Sequence, residues 1–267
     1  MKITIFWFRR DLRIDDNTAL WNALSSGLPV MPIFIFDTNI IDELKQDDPR
    51  ISFIYKNLAE LDFIFKKFGS SLRILKSTPE IAFEKLLTEF DVHSVYSNRD
   101  YEPYAISRDS NVSKILNKLG LQFFQFKDHV IFEQDEILKG NDEPYTIFTP
   151  YKNQWLKKFG EQAYELKAVE PLLKNLFSFK SEFPGLKELG FRISIIEVKN
   201  YQFDAIQNYA QLRDLPADDA TTYLGPHLRF GTISIRQLIN DIGNSRDRKS
   251  TRLNSSHQST SRMPSSA

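Results

Sequence analysis

Two threonines, Thr221 and Thr222, stand directly before Tyr223-Leu224-Gly225-Pro226-His227-Leu228, between two stretches of helical pattern. Hydroxyls beside the free N–H groups of a helix start can bind an anion, and Gly225 lets the backbone approach it. The same residues also make an ordinary helix cap with no ligand, so local pattern alone leaves both readings open. A second cluster, Arg9, Arg10, Asp11 and Arg13, follows an apolar run at the N-terminus. Loops at the carboxyl ends of strands are where open α/β sheets bind ligands, but mixed charges there also form ion-pair networks, and a structural role is assigned to these four. A third cluster is Asn98-Arg99-Asp100-Tyr101-Glu102-Pro103-Tyr104. Carboxylates two residues apart can serve acid/base chemistry, yet no histidine stands nearby, and a solvated loop explains them better. None of the four histidines has metal-ligand spacing to another histidine or to a carboxylate pair. No phosphate-binding P-loop, dinucleotide glycine fingerprint or serine-hydrolase elbow is present.

The elements that must position these residues are read from periodicity. Runs at 2–8 (KITIFWF) and 29–36 (PVMPIFIF) are nearly continuously apolar, as expected of strands buried on both faces of a parallel sheet. Weaker runs occur at 72–76, 93–97 and 121–126. Between them lie helical patterns at Thr18–Ser25, Ile51–Phe68, Ile81–Phe90 and Ala105–Leu119. In the second of these, Ile54, Leu58, Leu61 and Phe65 recur at spacings of four, three and four, a stripe that packs on a sheet. This alternation predicts a doubly wound, five-stranded parallel α/β domain over residues 1–135.

Residues 138–156 contain Gly140-Asn141-Asp142 and two prolines, which predicts a connector. From Asn153 strand-like runs become rare and helical pattern takes over. The expected division is an α/β domain at 1–135, a connector at 136–195 and the start of an all-α domain at 196–246. Residues 247–267, DRKSTRLNSSHQSTSRMPSSA, are rich in serine and threonine and have no periodicity. They are expected to be a disordered tail. This stretch also looks like an in-frame translation of a sequencing-library adapter, so it is read as non-native and His257 receives no function.

Composition narrows the function classes. The 35 basic and 35 acidic residues balance, so any contact with nucleic acid must come from a local patch rather than a global field. The absence of cysteine excludes disulfides, thiolate metal sites and a cysteine nucleophile, and fits a reducing, cytoplasmic setting. No apolar run approaches the ~20 residues of a membrane helix, and no metal is expected.

The run Ile5-Phe6-Trp7-Phe8-Arg9-Arg10-Asp11-Leu12-Arg13 and the segment Tyr209–Arg236 together resemble the photolyase/cryptochrome family, most closely its class I cyclobutane pyrimidine dimer photolyases. The family's second motif runs Tyr, three residues, Arg-Asp, Pro, then Thr-Ser-x-Leu-Ser-Pro-x-Leu-x-Phe-Gly-x-x-Ser-x-Arg. The chain matches with Tyr209, Arg213, Asp214, Pro216, Thr221, Leu224, Pro226, Leu228, Phe230, Gly231, Ser234 and Arg236. Thr222 replaces the first serine and keeps the hydroxyl; Gly225 replaces the second and loses it.

The resemblance implies an N-terminal α/β antenna domain followed by the beginning of an all-α FAD-binding domain. It implies that Tyr209, Thr221, Thr222, Tyr223, Leu224 and Gly225 contact FAD and that Arg213 meets DNA phosphate, adding affinity without reading sequence. It implies light-driven repair of cyclobutane pyrimidine dimers: excited reduced FAD passes an electron to a dimer flipped from the duplex, the ring splits and the electron returns. The antenna pocket is expected from Arg50, Asp100 and Glu102 with Phe34–Asp37. Folate-using members carry Asn-Glu where this chain has Tyr104-Ala105, so a deazaflavin or flavin antenna is favoured.

The partner implied is DNA containing pyrimidine dimers, acted on by a monomer, and no residue present is assigned as a catalytic acid or base. Much of the family's flavin domain is expected to lie beyond Arg246, so the chain as written is not expected to hold FAD or repair DNA. A cryptochrome-type photoreceptor shares the fold and flavin. A nucleotide-binding α/β module without a DNA role would explain the first 130 residues but not Tyr209–Arg236.

Overall fold

The computed structural model describes residues 1–161, 164–212, 214–215 and 217–243, without the side chains of 207–210. Five strands, β1 (Ile3–Phe8), β2 (Val30–Asp37), β3 (Arg73–Ser77), β4 (Val92–Asn98) and β5 (Gln122–Phe126), form one sheet in the order β3-β2-β1-β4-β5. Every pairing is parallel, with Ile5 of β1 opposite Met31 on one side and Val95 on the other. The five-stranded parallel sheet expected from the apolar runs is therefore present, each strand within two residues of its predicted bounds.

Alternation along the central strands divides the core in two. Phe6, Phe8, Val30, Phe34 and Phe36 face α1 (Thr18–Leu24) and α3 (Pro49–Lys67), whereas Ile3, Ile5, Trp7, Met31, Ile33 and Ile35 face α4 (Pro79–Glu89) and α5 (Pro103–Lys118). Leu58, Leu61 and Phe65 of the predicted stripe are buried, and Ile54 packs against them. Burying such side chains contributes roughly 1.5–3 kcal/mol each. The helices begin where capping chemistry dictates: Asn17, Asp48 and Thr78 accept backbone N–H groups at the starts of α1, α3 and α4, and Pro49, Pro79 and Pro103 occupy first-turn positions. A short helix, α2 (Thr38–Ile41), follows β2 directly.

The chain forms two compact units. The first comprises residues 1–133 and 167–234, and the second residues 134–166 together with the chain from 235 on. In the first unit Val169, Leu173, Leu176, Leu186, Leu189 and Phe191 join the core beside α1 and α3, and the Phe177 N–H donates to Val30 O at 2.7 Å. This unit also holds α7 (Tyr209–Leu212) and α8 (Leu224–Arg229). The second unit contains a helix that the proline count hides, Phe148–Gly160 (α6). Pro150 lies in its first turn, where a backbone N–H has no helical partner and proline costs little. Within it the Trp155 and Phe159 rings stack 4.9 Å apart, and Asn240 Nδ2 donates to Tyr164 O at 3.4 Å. Among the described residues no helix is long and apolar enough to cross a membrane.

Candidate functional site

The strand order makes β1 and β4 neighbours although β2 and β3 come between them in sequence, so a crevice opens at their carboxyl ends. The loop after β1 closes that crevice with a buried polar network. The Asp11 carboxylate accepts the Arg9 N–H at 2.7 Å and Asn98 Nδ2 at 2.6 Å, and Asn98 Oδ1 accepts the Ala19 N–H at 2.9 Å. Burial pushes the Asp11 carboxyl above the ordinary carboxylate range even though these donors pull it down. Arg9 pairs with Asp109 and donates to Ser97 Oγ and Asn98 O, while Arg13 pairs with Asp128 at 2.6 Å. Buried charges so fully engaged fix the course of the backbone.

The segment around Phe230 docks on this loop. Phe230 O accepts the Leu12 N–H at 3.0 Å, Arg13 Nη1 donates to Gly231 O at 3.1 Å, and Ser234 Oγ donates to the Asp16 carboxylate. Gly231 has φ +63°, and a Cβ there would lie 2.2 Å from Arg10 O. Two motifs more than 200 residues apart in sequence are thus joined where only glycine fits.

Beside this junction lies a cavity of about 610 Å³, within the range typical of cofactor sites. Phe34, Ile35 and Phe36 at the end of β2 and Ile51 and Ile54 of α3 form apolar walls, with Trp7 and Arg9 from the end of β1. Arg50, Asp100 and Glu102 all line it, together with Gly225 and Arg229. Three residues drawn from two separate stretches of sequence therefore meet in one place, with the Phe34–Asp37 wall expected beside them.

The rim is held by ion pairs. Arg50 grips Asp48 through Nε and Nη2 at 2.9 and 2.7 Å, and these bonds pull the Asp48 carboxyl below its ordinary value. Glu102 precedes Pro103 at the start of α5 and makes no cap bond, which frees its carboxylate for Arg10 at 2.8 Å and Arg229 at 2.6 Å. The Arg229 bond is the main influence holding Glu102 below the ordinary carboxylate range. Asp100 accepts the Tyr101 N–H at 2.8 Å. Burial pushes its carboxyl up, but Arg10, Arg9 and Arg108 together bring it below the ordinary value.

On the β2 side the Tyr104 hydroxyl donates to Asp37 Oδ2 at 2.6 Å and accepts from Asn39 Nδ2 at 3.1 Å. Burial raises Asp37, and burial with the neighbouring carboxylate pushes the Tyr104 hydroxyl up to about 12. Among the described residues that line the cavity, no donor and acceptor are arranged as a nucleophile with its base. Apolar aromatic walls with a ring of guanidinium and carboxylate groups suit a planar aromatic ligand with polar edges.

The flavin-motif candidates divide. Gly225 faces the cavity, with open space where a Cβ would stand. Thr222 turns its hydroxyl inward, toward the Leu224 N–H at 3.4 Å, and its carbonyl accepts the Gln202 N–H at 2.8 Å. The residue at the helix start is Tyr223, in the left-handed region at φ +53°, with its hydroxyl bonded to Lys199 Nζ at 2.8 Å and to Asp219. Leu224 is buried and Thr221 exposed. Tyr209 begins α7, its side chain outside the described residues, and Arg213 lies outside them altogether. His227 bridges Thr232 Oγ1 at 2.8 Å and Lys199 O at 3.0 Å, and so pins Lys199 to this run.

Residues 4–171 match the family described as DNA photolyase. The chain belongs to the DNA photolyase family. It is 30% identical over 257 residues to a deoxyribodipyrimidine photo-lyase of Synechococcus, covering 87% of this chain and 52% of that one. A deoxyribodipyrimidine photo-lyase of Halobacterium salinarum is 29% identical over 257 residues, with 87% and 53% covered. The crystal structure of an archaeal photolyase from Sulfolobus tokodaii, described as carrying two FAD molecules with a novel light-harvesting cofactor implied, superposes with a TM-score of 0.67. It is 28% identical, with 90% of this chain and 54% of that chain covered. The photolyase-family chain thus spans about half the length of these relatives.

Two lining residues of this photolyase-family site escape sequence reasoning. Arg108 carries a detectable signal: Ala105, Arg108, Val112 and Leu116 recur at spacings of three, four and four and are all buried, so an arginine sits on the apolar stripe of α5. Arg229 carries none, since its place at the rim follows from the docking of α8 on the loop after β1.

Proposed function

We propose that the whole protein is a DNA photolyase that repairs cyclobutane pyrimidine dimers with blue light and FAD, and that the cavity beside β1 and β2 is its antenna site. The observation that carries the antenna reading is the convergence of Arg50, Asp100 and Glu102 with the Phe34–Asp37 wall on one space of about 610 Å³. A flavin or deazaflavin suits it better than a folate: the Tyr104-Ala105 pair replaces the folate users' Asn-Glu, the Tyr104 hydroxyl is committed to Asp37, and Ala105 is buried. The Sulfolobus tokodaii relative, with its two FAD molecules, supports a second flavin-type site in this family.

Catalytic FAD is assigned to Tyr209 and the Thr221–Gly225 run, and DNA phosphate to Arg213. When bound, FAD supplies the light-driven electron transfer, and the protein's part is to hold and orient. Residues 9–16 brace the Thr221–Gly225 run through Phe230, Gly231 and Ser234. The domain assignment follows: an antenna domain over 1–135, a connector over 136–195 and the beginning of the flavin domain over 196–246, in a cytoplasmic monomer. A cryptochrome-type photoreceptor is the alternative that keeps the same fold.

The test has two parts. The full-length gene, expressed in bacteria lacking photolyase, is expected to restore survival after ultraviolet irradiation only under blue light; no light-dependent rescue overturns the repair reading. The purified 267-residue chain is expected to bind riboflavin near one equivalent with quenched fluorescence, and Arg50→Ala with Glu102→Ala to weaken it. Equal or tighter binding of a methenyl-folate overturns the flavin-type antenna.

A further inference from the structure

Among the described residues lining the cavity, Trp7 and Tyr104 are the two side chains that give up an electron readily; the other aromatic walls are phenylalanines. Their surroundings push them in opposite directions. Trp7 is 2% exposed, and its ring centre lies 4.9 Å from the Arg9 guanidinium and 5.0 Å from that of Arg108. Both arginines pair with one carboxylate, Asp109, so the indole stays next to net positive charge. A cation radical formed on Trp7 is repelled by that charge, and in a buried site the repulsion is weakly screened.

Tyr104 has the reverse arrangement. Its hydroxyl donates to Asp37 Oδ2 at 2.6 Å, the length of a charge-assisted bond. Asp37 is itself buried, with its other oxygen held by the Asn39 N–H at 3.1 Å. At neutral pH Tyr104 is a phenol, since its ionisation is pushed up to about 12. A phenol that loses an electron becomes strongly acidic, and a carboxylate already in line with its O–H bond takes the proton without rearrangement. Burial, which raises the Asp37 carboxyl, makes it the better proton acceptor. Tyr223 also donates to a carboxylate, Asp219, but it stands outside this lining and has Lys199 Nζ on its hydroxyl at 2.8 Å.

We infer that Tyr104 and Asp37 form a redox-active pair that drains excitation from a flavin-type chromophore in this cavity. One electron passes from the Tyr104 ring to the excited chromophore, which is reduced by one electron. The phenolic proton moves to Asp37 Oδ2 as the O–H bond breaks, leaving a neutral tyrosyl radical. Return of the electron and the proton restores both partners, and the light energy is released as heat. Trp7, held beside two guanidinium groups, stays out of the exchange. The pair thereby limits how long the chromophore remains excited. The inference rests on the antenna reading above and not on DNA repair, and the experiment separates it from both.

The probe is riboflavin bound to the purified 267-residue chain, followed by time-resolved fluorescence and transient absorption. Its emission is expected to decay about tenfold faster than that of free riboflavin, in step with the sharp violet band of a tyrosyl radical. The decay is expected to slow in heavy water, because the proton moves with the electron. Tyr104→Phe is expected to restore most of the lifetime and Asp37→Asn part of it, with circular dichroism, melting and riboflavin affinity close to those of the unaltered chain. Bound riboflavin that emits as long as the free compound overturns the inference without reference to any variant, and leaves the antenna reading standing. So does the broad band of a tryptophan radical in place of the tyrosyl one, or quenching that Tyr104→Phe leaves intact in a folded protein. If riboflavin does not bind at tens of micromolar, the antenna reading falls and this inference with it.

Discussion

Replacing Gly231 with alanine tests the junction on which the whole site rests. The residue sits at φ +63°, and the added Cβ would meet Arg10 O at 2.2 Å and Asp11 Cα at 2.7 Å. A left-handed conformation costs an L-residue about 1–2 kcal/mol. The clash is with backbone, so no side chain can swing away, and the segment must lift off the loop after β1. Lifting it sacrifices the neutral bond from the Leu12 N–H to Phe230 O, worth about 0.5–1.5 kcal/mol, and the charged one from Arg13 to Gly231 O, worth about 1.5–3 kcal/mol. The expected loss is therefore about 3–6.5 kcal/mol, felt as unfolding or as local detachment of residues 224–234.

Urea unfolding followed by circular dichroism measures the first outcome, and hydrogen exchange at the Leu12 amide the second, since that proton is protected only while Phe230 O covers it. Gly225→Ala is the control: it adds a Cβ into open space within α8 and is expected to change stability by less than about 1 kcal/mol. Gly231→Ala with a stability within 1 kcal/mol of the parent and an unchanged Leu12 exchange rate would refute the proposed junction.

Three other perturbations have defined signs. Asp109→Asn leaves Arg9 and Arg108 without their shared counter-charge and is expected to cost about 3–5 kcal/mol, measured by thermal melting near neutral pH. Tyr104 is expected to ionise near pH 12 instead of 10 in a spectrophotometric titration of the native chain, and Asp37→Asn to bring it back toward 10. Between those values an unfolded chain releases the Tyr104 proton and the native one keeps it, so this group makes stability fall as pH rises through that window. Glu102→Gln removes two surface ion pairs from the cavity rim and is expected to change the melting stability by less than about 1 kcal/mol, while quickening riboflavin exchange in stopped flow.

The α/β architecture was legible because its signals are local. Strands β1 and β2 are buried on both faces and read as unbroken apolar runs, and the helices carry stripes and caps that depend on residues within one turn. The helix Phe148–Gly160 was hidden because two prolines nearby read as a connector, although a proline in the first turn is compatible with helix. The candidate cavity was legible in part: Arg50, Asp100, Glu102 and the Phe34–Asp37 wall were nominated from resemblance, and the chain brings them to one space.

The sequence by itself determined the element types, the family and the residue kinds at the carboxyl edge of the sheet, since periodicity, capping and motif order are properties of neighbouring residues. Only the tertiary structure decided which charges are buried and which stay exposed. Arg9, Arg10, Arg50, Arg108 and Arg229 are chemically alike in the sequence; the fold gives all five ion pairs, but Arg9 and Arg108 share one buried carboxylate, Asp109, beside Trp7 whereas Arg50 and Arg229 pair at the exposed rim. Likewise Gly225 and Gly231 are six residues apart in one motif, yet one borders open space and the other is pressed against Arg10. Those distinctions arise from strand order and the docking of distant segments, which bring together residues whose separation in the chain carries no trace of their contact.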